Sequence, residues 1–145
     1  ALDRLVEANQ EQKPASGVIL DTLRQRLALE WKTPVTLRVS PAVQTLPPAL
    51  EDAVPLMVHE AAVNALKHAG ASRVTVDVDA ADGRLRLVVA DDGGGFRFKG
   101  RYNHEALATS HVGPRSLLDR VSALGGHLSI DSTDRGSRVE VLIPL

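Results

Sequence analysis

The sequence predicts an α+β domain, a two-layer sandwich in which a mixed, mostly antiparallel sheet of about five strands carries about three helices on one face. Two patterns support this class. In short segments, largely joined as hairpins, apolar residues alternate with polar ones, which predicts strands with one buried face. In longer segments apolar residues recur every three to four positions, which predicts helices with one buried stripe.

The first half of the chain predicts two helices and one strand. Apolar residues at helical spacing indicate a helix over 18–31, and alternating residues over 35–39 indicate the first strand. The strongest helix is expected over 49–69, with Gly70 ending it. Pro55 should kink or restart this helix, because proline lacks the backbone N–H that the helix interior uses.

The second half predicts a hairpin, a lid, a third helix and a closing hairpin. Two alternating strands are joined by Asp82-Gly83, a dipeptide typical of tight turns. Residues 93–112 have no sustained period, and a loop of that length in a compact domain is usually functional, so we interpret it as a lid over a ligand. A helix starting at Pro114 and a hairpin over 128–143 complete the domain.

Composition limits the class of function. The 145 residues fit one domain, and only two Phe, one Tyr and one Trp make its core aliphatic. A net charge of -1 gives no reason to expect nucleic acid or an anionic membrane as a partner. Without cysteine there is no disulfide or thiol chemistry, and the apolar runs are too short to span a bilayer. A cytoplasmic domain without direct membrane contact is expected.

The chain is expected to be part of a larger protein. It begins at Ala1 rather than Met and has no signal-peptide pattern. Residues 1–17 are interpreted as the tail of an upstream helical module or a linker, because a short amphipathic stretch is interrupted by Pro14 and Gly17. Residues 18–145 are interpreted as the folded domain.

A group of polar residues and glycines predicts a nucleotide pocket. Asp91 follows a buried strand, where a fixed carboxylate can accept a hydrogen bond from a base amine. The glycines at 93–95 allow the backbone to approach a ligand closely. One face of the long helix carries a polar stripe, formed by Glu60, Asn64, Lys67 and His68. ATP is therefore the leading ligand.

Four segments in order resemble the motifs of one ATP-binding superfamily. They are HEAAVNALKHAGAS from His59, DDGGGF from Asp91, GPRSLLDRVSALGG from Gly113 and GSRVEVLIPL from Gly136. Their order and spacing resemble the GHKL superfamily of gyrase, heat-shock chaperone, histidine kinase and MutL ATPases. They are most similar to sensor histidine kinases paired with LuxR-type response regulators. The resemblance implies a Bergerat ATP-binding fold over 18–145, with the lid at 93–112.

The resemblance also implies how the base is held. Asp91 matches the acid that accepts a hydrogen bond from the adenine amine, and Gly93 and Gly95 match the glycines beside base and ribose. Ser137 stands where the family usually has a threonine whose hydroxyl supports that acid. Gly113 precedes a helix, where free amides favour phosphate oxygens.

On the phosphate side, the resemblance assigns roles to the polar stripe. Asn64 matches the residue whose amide oxygen ligates Mg²⁺, which bridges phosphate oxygens. Glu60 matches the residue that orients or deprotonates the attacking group, while Lys67 and His68 could meet phosphate charge. The alternative for these last three is a solvated polar helix face.

The sequence departs from the family pattern at three positions. His111 and Ser116 replace glycines, and Asp92 stands where asparagine is commoner. The first two put the lid geometry in doubt, whereas the third alters the neighbour of the base contact. The lid is also basic, because it carries Arg97, Lys99 and Arg101, which could meet a triphosphate or could keep the loop soluble.

The implied function is that of a protein histidine kinase catalytic domain in two-component signalling. It would bind Mg²⁺ and ATP and donate the γ-phosphoryl group to a histidine on a separate dimerisation and phosphoacceptor module, acting on a response regulator indirectly. His59-Glu60 mimics an acceptor dipeptide but lies in the nucleotide helix, so we expect no self-phosphorylation of this chain. Two alternatives stay open: an anti-sigma-factor serine kinase switch protein, and a nucleotide-binding module without turnover.

Overall fold

The computed structural model of the chain describes residues 16–145. The predicted tail or linker at 1–17 lies outside the described residues, except for Ser16 and Gly17, which begin the first helix. That helix therefore starts two residues before the boundary predicted at position 18.

The described residues form four α-helices, six strands and one short 3₁₀ helix. Helices α1 to α4 span Ser16–Trp31, Pro48–His68, His104–Ser110 and Arg115–Ala123, and the 3₁₀ helix spans Pro41–Gln44. Strands β1 to β6 span Val35–Val39, Val74–Ala81, Arg84–Asp91, Gly100–Tyr102, His127–Thr133 and Gly136–Pro144. Within this range, no helix combines the length and the apolar character needed to cross a membrane.

All six strands belong to one sheet, in the order β1-β2-β3-β6-β5-β4. β1 and β2 run parallel, and every other neighbouring pair is antiparallel. Parallel neighbours need a long crossover connection, and here α2 provides it. The predicted α+β class and the mixed, mostly antiparallel sheet are confirmed.

The element counts differ from the prediction, because the segment 93–112 is not an irregular loop. It contains β4, which has three residues, and α3, which has seven. Elements this short do not produce a sustained period in the sequence. Asn103 begins α3 as its N-cap, since its side-chain oxygen accepts a hydrogen bond from the Ala106 N–H at 2.8 Å.

One face of the sheet is apolar and carries the helices. Buried side chains alternate along the central strands, as Leu85 and Leu87 do in β3. The residue between them, Arg86, lies on the opposite face, where its Nη2 is 2.9 Å from Glu140 Oε2. A sheet that buries only one face gives two layers, as predicted.

Helix α2 joins the core to the site. Its apolar stripe is buried against the core and is rich in small residues, among them Ala61, Ala62 and Ala65. Of the two outcomes predicted for Pro55, a kink or a restart, the restart does not occur, because the helix continues through this residue. Pro55 is only partly buried and lies in the first half of the helix, away from the residues predicted to meet the nucleotide.

Candidate nucleotide-binding site

A cavity of about 530 Å³ lies between α2, the ends of β3 and β6, and the segment that connects β3 to α4. This volume is in the range of small-molecule and cofactor sites. Six of the nine residues predicted for the site line it: Asn64, His68, Asp91, Gly95, Gly113 and Ser137. The remaining three, Glu60, Lys67 and Gly93, are not among its lining residues.

The Asp91 carboxylate is fixed by two hydrogen bonds at the end of β3. The register of β3 and β6 sets Ser137 directly opposite it. Asp91 Oδ1 accepts from the Gly93 N–H at 2.8 Å, and Oδ2 accepts from the Ser137 hydroxyl. Because each carboxylate oxygen can accept more than one hydrogen bond, Asp91 keeps acceptor capacity for a ligand in the cavity.

Two glycines after Asp91 are required by close backbone contacts. A Cβ atom at Gly93 would lie 2.5 Å from the carbonyl oxygen of Ala69, at the end of α2. Gly95 has a φ of +77°, and a Cβ there would lie 2.3 Å from the Thr133 carbonyl oxygen. Only residues without side chains allow this turn to pass between α2 and β5.

Asp92 has a structural role beside the site. Its carboxylate accepts hydrogen bonds from the Ser72 hydroxyl at 2.6 Å and from the N–H groups of Ser72 and Arg73, both at 2.9 Å. The hydroxyl bond is the main reason why the pKa of Asp92 lies below its ordinary value. All three partners are donors, so a carboxylate suits this position. Through these hydrogen bonds Asp92 connects the end of β3 to the segment between α2 and β2.

The polar stripe of α2 contributes only part of its length to the cavity. Asn64 and His68 are one turn apart and line the wall together. Glu60 is half-buried a further turn toward the N-terminus, and Lys67 is exposed on the adjacent side of the helix. A ligand in the cavity can therefore meet Asn64 and His68 directly.

Aromatic side chains form the opposite wall. The rings of Phe96 and Phe98 stack with centroids 5.1 Å apart. The centroid of the Phe98 ring also lies 4.7 Å from that of Tyr102. The Phe96 N–H donates to the hydroxyl of buried Ser132 at 2.8 Å, which attaches this segment to β5. The wall is therefore held in place by ring packing and by a partly buried hydrogen bond.

His111 and Ser116, the two residues that replace glycines of the family pattern, have different structural consequences. His111 ends α3 in the left-handed region, with a φ of +55°, which explains why glycine suits this position. Its ring lies beside Arg115, with Nδ1 and Nη1 3.4 Å apart, and the residue lines the cavity. Ser116 is exposed in α4 outside the lining, so it leaves the cavity wall unchanged.

Comparison with protein families identifies the domain. Residues 49–145 match the family described as "Histidine kinase-, DNA gyrase B-, and HSP90-like ATPase". The chain belongs to this family. The matched region contains α2 except its first residue, the Asp91 turn, the aromatic wall and both strands of the last hairpin, so it includes every residue that lines the cavity.

This ATPase domain is similar to part of longer proteins. The sensor histidine kinase LiaS of Bacillus subtilis is 29% identical over 130 residues, which cover 88% of this chain and 32% of LiaS. The chain spans about a third or less of the length of the curated relatives it matches.

Solved structures agree on the fold. The histidine kinase domain of the Erythrobacter litoralis EL346 blue-light activated kinase gives a TM-score of 0.73 at 23% identity and covers 90% of this chain and 61% of its own. The ATP binding domain of PrrB from Mycobacterium tuberculosis gives a TM-score of 0.66 at 23% identity and covers 87% of this chain and 90% of its own. The predicted Bergerat fold is confirmed.

The donor set of this ATPase domain fits a hard cation that shares its ligands with a nucleotide. No three His, Cys, Asp or Glu side chains among residues 16–145 are close enough together to hold a metal ion by themselves. Asn64 supplies an amide oxygen at the cavity wall. Magnesium keeps several waters and binds phosphate oxygens, so a single protein ligand of this kind is sufficient.

The sequence did not predict the apolar side chains that line the site or the hydroxyl that lies behind its glycine turn. Phe98 and Val112 line the cavity, and Ser132 holds the turn from behind. The spacing of Phe96 and Phe98 was an available signal, because residues two apart lie on one side of an extended segment. Ser132 gave no signal, since its importance depends on β5 lying beside Gly95.

Proposed function

We propose that this domain is the ATP-binding catalytic domain of a sensor histidine kinase. It binds Mg²⁺ and ATP and donates the γ-phosphoryl group to a histidine on a separate phosphoacceptor module of the same kinase. The observation that carries the proposal is the convergence of Asp91, Ser137 and Asn64 on one cavity. The family match and the sensor kinases among the relatives support it.

In this proposal Asp91 is the adenine-binding residue. Its carboxylate is acceptor-only and is held by the Gly93 N–H and the Ser137 hydroxyl, so it is oriented before the ligand arrives. The exocyclic amine of adenine is a donor and matches this acceptor. Gly95 and the neighbouring apolar lining provide a surface for the base and the ribose.

The phosphates lie toward Asn64, His68 and Gly113 in this proposal. Asn64 would hold magnesium through its amide oxygen, and the metal would supply neutralisation of phosphate charge. His68 lies one turn from Asn64 on the same wall and can donate a hydrogen bond to a phosphate oxygen. Lys67 is exposed outside the lining and contributes long-range charge.

In this proposal the domain acts mainly by positioning the phosphoryl group for transfer. Phosphoryl transfer depends mainly on alignment and charge neutralisation, so no protein nucleophile is required. The acceptor histidine belongs to the module that we assign outside residues 18–145, and transfer continues to a response regulator in two-component signalling. A cytoplasmic location fits this use of ATP. Pairing with a LuxR-type regulator stays a prediction, as does closure of 93–112 as a lid.

Calorimetry followed by a transfer assay tests the proposal. The chain should bind ATP in the presence of Mg²⁺, and adding its phosphoacceptor module with labelled ATP should yield acid-labile phosphohistidine on that module. The chain alone should bind without becoming labelled. Asn64→Ala should lose the Mg²⁺-dependent part of the affinity, whereas exposed Ser116→Ala serves as the matched control. Failure of the wild type to bind ATP would refute the proposal.

The position of Glu60 favours one second candidate, a nucleotide-binding module without turnover. Glu60 is the residue proposed to activate the acceptor, and it does not line the cavity. In a kinase, the acceptor histidine would have to approach α2 from outside, where Glu60 is half-buried. Glu60→Gln should then leave ATP affinity unchanged and reduce phosphohistidine formation. ATP binding without any transfer to the acceptor module would favour the second candidate.

A further inference from the structure

The three basic residues of the segment 93–112 have different surroundings. The Lys99 ammonium donates to the Gly94 carbonyl oxygen and lies 3.4 Å from Asp134 Oδ1. Its charge is therefore directed to the glycine turn and to the β5–β6 connection. Lys99 does not line the main cavity.

Arg101 is also directed away from the main cavity. It lies in β4, where the register sets it opposite Asp131 of β5. It lines a separate small depression with Asn103 and Ser129. Its position therefore gives it no contact with a ligand bound near Asp91.

Arg97 is the basic residue of this group that faces the main cavity. Among the lining residues, it is the one Lys or Arg, and Asp91 is the one Asp or Glu. Both Asp91 oxygens already accept hydrogen bonds from Gly93 and Ser137. No ion pair within residues 16–145 includes Arg97. The Arg97 guanidinium therefore lines the cavity without an ion-pair partner among the described residues.

The backbone around Arg97 is held in place. On one side Phe96 is hydrogen-bonded to Ser132, and on the other Phe98 stacks on Phe96 and contacts Tyr102. Both phenylalanines line the cavity with Arg97. Its side chain is exposed, and its Cα position relative to the cavity is set by these contacts.

We propose that Arg97 binds the phosphate groups of the nucleotide, as the permanent positive charge of the site. The proposal rests on the function proposed above. MgATP keeps net negative charge, and a guanidinium stays charged and matches two phosphate oxygens with parallel N–H donors. The other nitrogen-bearing side chains of the lining are the amide of Asn64 and the imidazoles of His68 and His111, and none of these offers the paired N–H donors of a guanidinium. Arg97 thereby distinguishes nucleotides by the number of their phosphates.

Calorimetry with four ligands tests this role. ATP, ADP, AMP and adenosine are titrated, with Mg²⁺ present, into the wild type, Arg97→Ala, Arg97→Lys and Arg101→Ala. Arg97→Ala should weaken ATP binding about tenfold, adenosine less than about twofold, and ADP and AMP by intermediate factors. Arg97→Lys should recover part of the ATP affinity. Arg101→Ala, which removes the same charge from the same segment, should bind all four ligands as the wild type does.

Salt gives a second readout. Screening weakens an exposed ion pair, so ATP affinity should fall less steeply with added salt in Arg97→Ala than in the wild type. Normal ATP binding by Arg97→Ala, an equal loss for ATP and adenosine, or an equal loss in Arg101→Ala would each overturn the phosphate role. If the wild type binds none of the four ligands, the proposed function fails as well, which separates that result from a failure confined to Arg97.

Discussion

The two walls of the cavity are built differently. The framework wall, which consists of the lining residues of α2, β3 and β6, is fixed by sheet register and by partly buried hydrogen bonds. The connecting wall, formed by residues 95–114, consists of short elements and carries exposed side chains such as Arg97 and His111. The framework wall holds the Asp91 carboxylate in place through two hydrogen bonds, whereas the connecting wall presents the exposed guanidinium of Arg97.

The largest effect should come from the fixed acceptor of the framework wall. Asp91→Asn replaces one acceptor oxygen by a donor, so it should weaken ATP binding about a hundredfold by calorimetry. The neighbouring variant Asp92→Asn is the control, because that side chain bonds to Ser72 and Arg73 rather than to the cavity. Circular dichroism should show both variants folded. If Asp91→Asn bound ATP with wild-type affinity, the fixed carboxylate would have no part in binding, and the contrast between the two walls would fail.

A pair of adjacent glycines tests how tightly the turn is packed against α2. Gly93→Ala would bring a Cβ within 2.5 Å of the Ala69 carbonyl oxygen, whereas Gly94→Ala would leave 3.8 Å. We expect the first change to lower the free energy of unfolding by about 2 kcal/mol and the second to change it by less than about 1 kcal/mol. Urea unfolding measures both. Equal effects would mean that the turn can move away from α2.

The hydroxyl that supports Asp91 should have a smaller effect. Ser137→Ala removes the donor to Asp91 Oδ2 and should weaken ATP binding about fivefold. Ser137→Thr keeps the hydroxyl and should bind ATP as the wild type does. Adenosine should lose as much affinity as ATP in Ser137→Ala, because this contact acts on the base end. If only ATP lost affinity, Ser137 would act at the phosphate end of the site rather than at the base end.

The smallest effect should be a pH dependence of the free energy of unfolding, caused by His104 at the start of α3. The Leu128 N–H donates to His104 Nδ1 at 3.0 Å, so the neutral ring carries its proton on Nε2, 3.0 Å from the Ser122 hydroxyl. Burial, and secondarily the charge of nearby His127, lower the pKa of His104 below its ordinary 6.5. The unfolded chain therefore binds this proton more readily than the folded chain does.

It follows that the free energy of unfolding should decrease as the pH falls below about 6.5. His104→Asn can still accept from Leu128 N–H with its amide oxygen, but it does not titrate. Urea unfolding at several pH values should therefore show a shallower dependence in this variant. An unchanged dependence would assign the effect to other groups.

Prediction from sequence succeeded where a residue's role depends on its neighbours along the chain. The strand before Asp91, the glycines after it and the stripe of α2 are all local patterns, and six of the nine predicted site residues line one cavity. It failed for β4 and α3, which are too short to give a period. It also did not separate Arg97 from Lys99 and Arg101, because all three are basic residues in one polar stretch.

The sequence by itself therefore determined the fold class, the order of the longer elements and the residues that can carry nucleotide chemistry. The tertiary structure alone decided which of them meet. β6 brings Ser137 opposite Asp91, and β5 brings Ser132 behind the glycine turn. The physical reason is that hydrophobic periodicity is set within each segment, whereas strand register and cavity walls depend on contacts between segments far apart in the chain.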